Sequence, residues 1–318
     1  MTSKLSPNRS SSNLREDSVS TLPNQTLIAP ELLAPAGSLR NMRYAFAYGA
    51  DAVYAGQPRY SLRVRNNEFS LENLAIGIKE AHALGKKFYV VSNIAPHNSK
   101  LGTYLKDISP VIAMKPDALI MSDPGLIMMV RDAFPEMPIH LSVQANAVNY
   151  ATVKFWQKQG IERVILSREL SLEEIETIRE HVPDMELEVF VHGALCMAYS
   201  GRCLLSGYMN KRDPNQGTCT NACRWSYDVK AGEENETGDI VLTNEINKAV
   251  TAPQVVIPTL GEGTPSSRVF MLEEKEKPGE LMPAFEDEHG TYIMNSKDLR
   301  AVQHVGRLTQ MGVHSLKI

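Results

Sequence analysis

From residue 31 onward, short apolar runs alternate with longer amphipathic stretches. The runs at 32–34, 52–54, 88–91, 118–121, 139–143, 164–166 and 187–191 have the length and side-chain content of buried strands. Between them, residues 39–48, 71–84, 104–114, 126–134, 151–159 and 172–181 carry apolar positions at helical spacing. Ser70, Asp123 and Ser171 stand just ahead of three of these helices, where a short polar side chain accepts from the first free amides. Strands alternating with helices predict a parallel sheet built from βα crossovers. Seven such strands favour an α/β, TIM-like (β/α)8 barrel over an open doubly wound sheet. No GxGxxG follows the first strand, which argues against a dinucleotide fold.

The rhythm fails at both ends of this block. Residues 1–29 are polar and aperiodic and predict a disordered tail; Glu16 and Asp17 speak against a transit peptide. After the seventh strand, residues 194–290 are irregular and hold every cysteine, which predicts an insertion over the barrel mouth. The domain division is therefore a tail over 1–29 and a barrel over 30–318 interrupted by 194–290. Regular pattern returns with a strand at 292–294, a helix at 299–311 and a last strand at 313–318, after which no covering helix follows.

Composition narrows the class without naming a function. A chain with 43% hydrophobic and 22% charged residues folds as an ordinary globular protein. No apolar run is long enough to span a bilayer and no signal pattern opens the chain, so a cytoplasmic location away from membranes is expected. The net charge of -4 gives no global sign of nucleic-acid binding, although a local basic face stays open.

Barrel chemistry gathers where the strands end. Those ends are polar here and include Asn93, Gln144 and His192, the candidate catalytic residues of a polar substrate pocket. The cysteines follow the pattern Cys196-x6-Cys203-x15-Cys219-x3-Cys223. Four thiols within 28 positions of a chain without an export signal read as metal or redox chemistry rather than disulfides. Thiolates suit zinc or an iron–sulfur cluster. The absence of paired CxxC knuckles favours the cluster, with unliganded thiols as the bland alternative. Arg59, Arg63 and Arg65 follow the second strand, while Arg202, Lys211, Arg212 and Arg224 surround the cysteines, interleaved with Tyr199, Tyr208, Trp225 and Tyr227. Arginine forks and aromatic faces suit RNA phosphates and unpaired bases; a solvated surface accounts for them equally well.

The stretch EVFVHGALC at 188–196 with GRCLLS at 201–206 resembles the signature of the collagenase-like peptidases. ELLAPAG at 31–37, DAVYAG at 51–56, SVQAN at 142–146 and NQGTCTNACR at 215–224 are similar to one branch of that family, the prephenate-dependent tRNA uridine 5-hydroxylases. The resemblance implies hydroxylation at C5 of the wobble uridine of tRNA, a 4Fe-4S cluster on Cys196, Cys203, Cys219 and Cys223, and a link to prephenate. Members of the branch continue past the strand ending at Ile318 with a further helix and a small β domain. The resemblance thus implies a C-terminally truncated barrel, with a non-catalytic RNA-binding fragment as one alternative. A collagenase-like peptidase is the other.

Overall fold

The computed structural model describes residues 29–62, 67–194, 196, 198–200, 202–211, 213–224, 227–234, 240–242, 269–274, 278–279, 281–287, 290–291 and 298–318. The predicted tail lies outside the described residues except for Ala29, and so does the strand predicted at 292–294.

The first half of the chain runs β1 (Glu31–Pro35), α1 (Leu39–Ala47), β2 (Ala52–Gly56), α2 (Leu71–Ala83), β3 (Lys87–Ser92), α3 (Asn98–Ala113), β4 (Ala118–Met121) and α4 (Pro124–Ala133). It continues with β5 (Ile139–Leu141), α5 (Tyr150–Lys158), β6 (Arg163–Ile165), α6 (Leu172–His181) and β7 (Glu186–Phe190). After β7 come β8 (His192–Ala194), α7 (Leu205–Asn210), β9 (Tyr227–Glu234), β10 (Ile240–Leu242), β11 (Val269–Glu274), β12 (Leu281–Asp287) and β13 (Gly290–Thr291). The chain then returns through β14 (Asp298–Arg300), α8 (Val305–Gln310) and β15 (Ser315–Lys317).

Eight parallel strands close a barrel in the order β1-β15-β7-β6-β5-β4-β3-β2. The closing strand pairs Leu33 with Lys317 on one side and Leu316 with Val189 on the other. Strand β3 explains the apolar runs seen in the sequence. Phe88 and Val90 pack outward against the helices, and Tyr89 and Val91 pack inward with Leu33, Ile120 and Ile165. Both faces are buried, so period-2 alternation of polarity disappears. Five of the helices are started by a local side-chain cap, and α3, α7 and α8 are not. Ser38, Ser70, Asp123, Asn149 and Ser171 accept from the third amide of the helix that follows, and Glu174 closes a capping box on Ser171.

Several boundaries differ from the sequence pattern, among them the start of α3, at Asn98 rather than 104. The fifth strand stops at Leu141 because Ser142 Oγ caps a 3-10 turn over Val143–Ala145, and Asn146 then takes a left-handed backbone. The helix expected at 299–311 begins only at Val305. Its first residues are drawn into β14, which pairs antiparallel with β8: Asp298 with Ala194 and Arg300 with His192. That short ladder forms the stalk of the insertion. The insertion is also more regular than its polar sequence indicates, since β10-β9-β11-β12-β13 make an antiparallel sheet.

Candidate functional site

A cavity of 430 Å³ opens at the C-terminal ends of the barrel strands. Its walls bring together Asn93, Gln144 and His192, the three residues singled out from the strand ends. They differ in what they are free to do. Asn93 Oδ1 accepts from the Leu62 amide at 3.2 Å and its Nδ2 donates to Ser142 Oγ at 3.1 Å, so the side chain braces the β2 loop against β5. Gln144 presents a buried Oε1 with no hydrogen-bond partner among the described residues. His192 is exposed on β8, where the stalk ladder fixes its backbone. Ser61 Oγ is a second buried group without a partner among the described residues, and it too lines the cavity.

The floor of the cavity is charged. Lys317, 3% exposed, donates to Glu188 Oε1 at 2.8 Å and lies 4.0 Å from the Tyr54 ring centre. Glu188, fully buried, also meets Arg163 at 3.3 Å. Arg163 in turn holds Glu31 at 2.6 Å and Glu186 at 2.8 Å, and Glu31 accepts from the Tyr89 hydroxyl at 2.8 Å. A line of alternating charges therefore runs inside the barrel from its N-terminal rim to the cavity. Burial is the largest influence on Glu31, but Arg163, Tyr89 and Lys87 outweigh it and hold the carboxyl below its usual range. Burial dominates at Lys317 and holds the ammonium below its usual range despite Glu188. Burial, then Arg163 and Lys317, push His140 well below the ordinary histidine value; its ring packs edge-on against Tyr89, 4.8 Å between centres.

Arg168 follows β6 and joins the cavity to the cysteine segment. It donates to the Ala194 carbonyl at 2.5 Å and to Ser200 Oγ at 3.1 Å, and its Nη2 lies 3.8 Å from Cys196 Sγ. All four cysteines are free thiols, Cys196 exposed and Cys203, Cys219 and Cys223 half-buried. Burial raises Cys203, the amides of Leu205 and Ser206 at the start of α7 oppose it, and the thiols of Cys219 and Cys196 lie near enough to raise it further. Amide donors behind one sulfur and a guanidinium beside another are suited to thiolate ligands. Among the described residues, no group of three or more His, Cys, Asp or Glu side chains is arranged to hold a metal ion.

The basic residues divide. Arg59, at positive φ, is exposed but ion-paired to Asp107 at 2.7 Å. Arg202 and Lys211 are exposed. Arg63, Arg65 and Arg212 lie outside the described residues, as does the side chain of Arg224. Lys317, Glu188 and Arg163 do not stand out from the strand-end pattern of the sequence. Their signal was present: a charge inside an otherwise apolar barrel strand must face the interior or the layer of helices, and both positions demand a partner.

The sequence profile of peptidase family U32 matches residues 37–318. The tRNA hydroxylation protein P of Escherichia coli (strain K12) is 75% identical over 293 residues, covering 92% of this chain and 64% of that protein. Its namesake from Haemophilus influenzae is 71% identical over the same shares of the two chains. The 23S rRNA 5-hydroxycytidine C2501 synthase of Escherichia coli (strain K12) is 36% identical over 63% of this chain and 30% of that protein. The chain thus spans just under two thirds of the tRNA hydroxylation proteins it matches. With a profile that runs from the loop after the first strand to the strand closing the barrel, through the mouth and all four cysteines, the chain belongs to peptidase family U32.

Proposed function

We propose that this chain is the barrel portion of a cytoplasmic iron–sulfur enzyme that hydroxylates C5 of the wobble uridine in tRNA, with prephenate as a linked small molecule. The observation that carries the reading is the 75% identity over 92% of the chain to a tRNA hydroxylation protein. The cavity at the strand ends supports it, because an enzyme acting on a base needs a pocket into which an unpaired base can be turned. Exposed Arg202 and Lys211 next to the cysteine segment supply cations for the phosphate backbone.

The cluster reading rests on the chemistry of the donors. Cys196, Cys203, Cys219 and Cys223 would hold it, and their convergence on one group is part of the proposal. When bound, such a cluster supplies electron-transfer chemistry beside the cavity. Arg168 would hold Cys196 toward the barrel, and the amides of Leu205 and Ser206 would stabilise the thiolate of Cys203.

The test is nucleoside analysis of tRNA from a deletion strain complemented with the full-length gene or with its Cys203→Ser version, alongside iron and sulfide content of anaerobically purified protein. Restored 5-hydroxyuridine with the first and its loss with the second are expected. Unmodified tRNA under full complementation refutes the reading.

A further inference from the structure

Arg168 reaches from the loop after β6 toward the cysteine segment, not toward an acid. Among the described residues no carboxylate lies within ion-pair distance of it. The neighbour able to carry a negative charge is Cys196, whose Sγ lies 3.8 Å from Nη2. A half-buried guanidinium calls for an anionic partner, and the sulfur becomes one when it is a thiolate ligand. Lys317, the other cation of the cavity, is already neutralised by Glu188 at 2.8 Å.

The guanidinium is held in this pose from several sides. Nη1 donates to the Ala194 carbonyl at 2.5 Å and Nη2 to Ser200 Oγ at 3.1 Å. Ser200 is 1% exposed, and its carbonyl accepts from Asn146 Nδ2 at 2.6 Å, so the loop after β5 fixes it independently. Ala194 is fixed by its pairing with Asp298 across the stalk ladder. Cζ of Arg168 stands 4.9 Å from the Phe190 ring centre, which adds a cation–π contact. Ala194 and Ser200 bracket Cys196 in the chain, so one planar fork spans the segment that carries the thiol. A lysine, with a single nitrogen, has no such fork.

Hydrogen bonds at the sulfurs are among the factors that set a cluster's reduction potential. Adding one electron makes or breaks no bond with the protein, and it leaves the sulfurs more negative. A fixed cation beside Cys196 stabilises that reduced state more than the oxidised one. Half burial protects the effect from the screening that an exposed charge meets.

We propose that Arg168 is a positioning residue that raises the reduction potential of the cluster through Cys196 Sγ, which favours its uptake of one electron from a one-electron reductant. The proposal rests on the cluster reading given above and adds to it the residue that sets the redox poise.

The test is a potentiometric titration with dithionite, followed by electron paramagnetic resonance, of the full chain reconstituted anaerobically with iron and sulfide. Arg168→Gln should keep the iron and sulfide content while its one-electron reduction equilibrium moves about tenfold toward the oxidised form, which is about 59 mV lower. Arg168→Lys should recover part of the shift, because the charge stays and the fork is lost. Ser200→Ala removes one hold on the guanidinium and should lower the potential by less, which keeps the test open if Arg168→Gln misfolds. An unchanged or raised potential in Arg168→Gln with its iron intact overturns the proposal. So does loss of iron from Arg168→Gln together with an unchanged potential in Ser200→Ala, since Arg168 is then only a brace. A wild-type chain that takes up no iron defeats the cluster reading and this proposal with it, whereas bound iron at an unshifted potential defeats this proposal alone.

Discussion

Glu188→Gln isolates the charge at the centre of the barrel. The substitution keeps shape and an acceptor oxygen but removes the carboxylate that faces Lys317 at 2.8 Å and Arg163 at 3.3 Å. Arg163 retains Glu31 and Glu186, whereas Lys317, with a side chain 4% exposed, loses its only ion-pair partner among the described residues. Breaking one partner out of a buried pair costs about 3–5 kcal/mol. The loss has a ceiling, because Lys317 can release its proton: from an unfolded value near 10.4, that costs about 4.6 kcal/mol at pH 7 and about 1.4 kcal/mol less for each unit of rising pH. A lysine whose folded value is depressed makes the unfolded state bind more protons, so stability rises with pH over that window. Urea denaturation of Glu188→Gln should show a deficit of about 3–4 kcal/mol at pH 7 that narrows by pH 9. Adding Lys317→Met should recover about 2 kcal/mol relative to the sum of the single changes. Additive effects together with a deficit that ignores pH would refute the reasoning.

Other outcomes follow from the same structure. His140 is held neutral far below its unfolded value of 6.5, so it contributes stability above pH 6.5 that is lost as pH falls below it; His140→Phe should flatten the acid limb of thermal stability by up to about 1.4 kcal/mol per unit. Gly56→Ala would set a Cβ 2.3 Å from Ser61 Oγ and 2.8 Å from Ser61 Cβ, so the loop must shift, at about 1–3 kcal/mol by chemical denaturation. Ser171→Ala removes the hydroxyl half of the α6 capping box and should cost about 1 kcal/mol by the same assay. Cys203→Ser should sharply lower the iron of anaerobically purified protein, and unchanged iron would count against that ligand.

The barrel was legible because its strands are covered on both sides. A run such as 88–91 is apolar from end to end, and capping residues such as Ser70 mark where several helices begin. Where a residue's role depends on a distant partner, pattern reading fell short. Residues 299 and 300 open the helix expected from the sequence but are strand because β8 lies opposite them. Nothing local marks Arg168, since its contacts, Ala194 and Ser200, belong to a segment whose path the local sequence does not dictate. That the Asn93 side chain also braces a loop depends on Leu62 and Ser142, which its position at a strand end does not reveal. The cysteines were legible as a set because they cluster in sequence; only three-dimensional folding brings Cys196 to Arg168.

The closing strand has a consequence for how the molecule assembles. Glu31 meets Ser315 across 284 positions, so the ring closes only when two distant parts of the chain come together. Until then, β1 and β7 each present an open parallel edge, the kind of surface that recruits other chains. Everything between β8 and β14, the cysteine segment included, must be synthesised before either edge is covered. Contacts at such separation form slowly. The step that turns a sheet into a barrel is therefore also the step that ends the chain's exposure to aggregation.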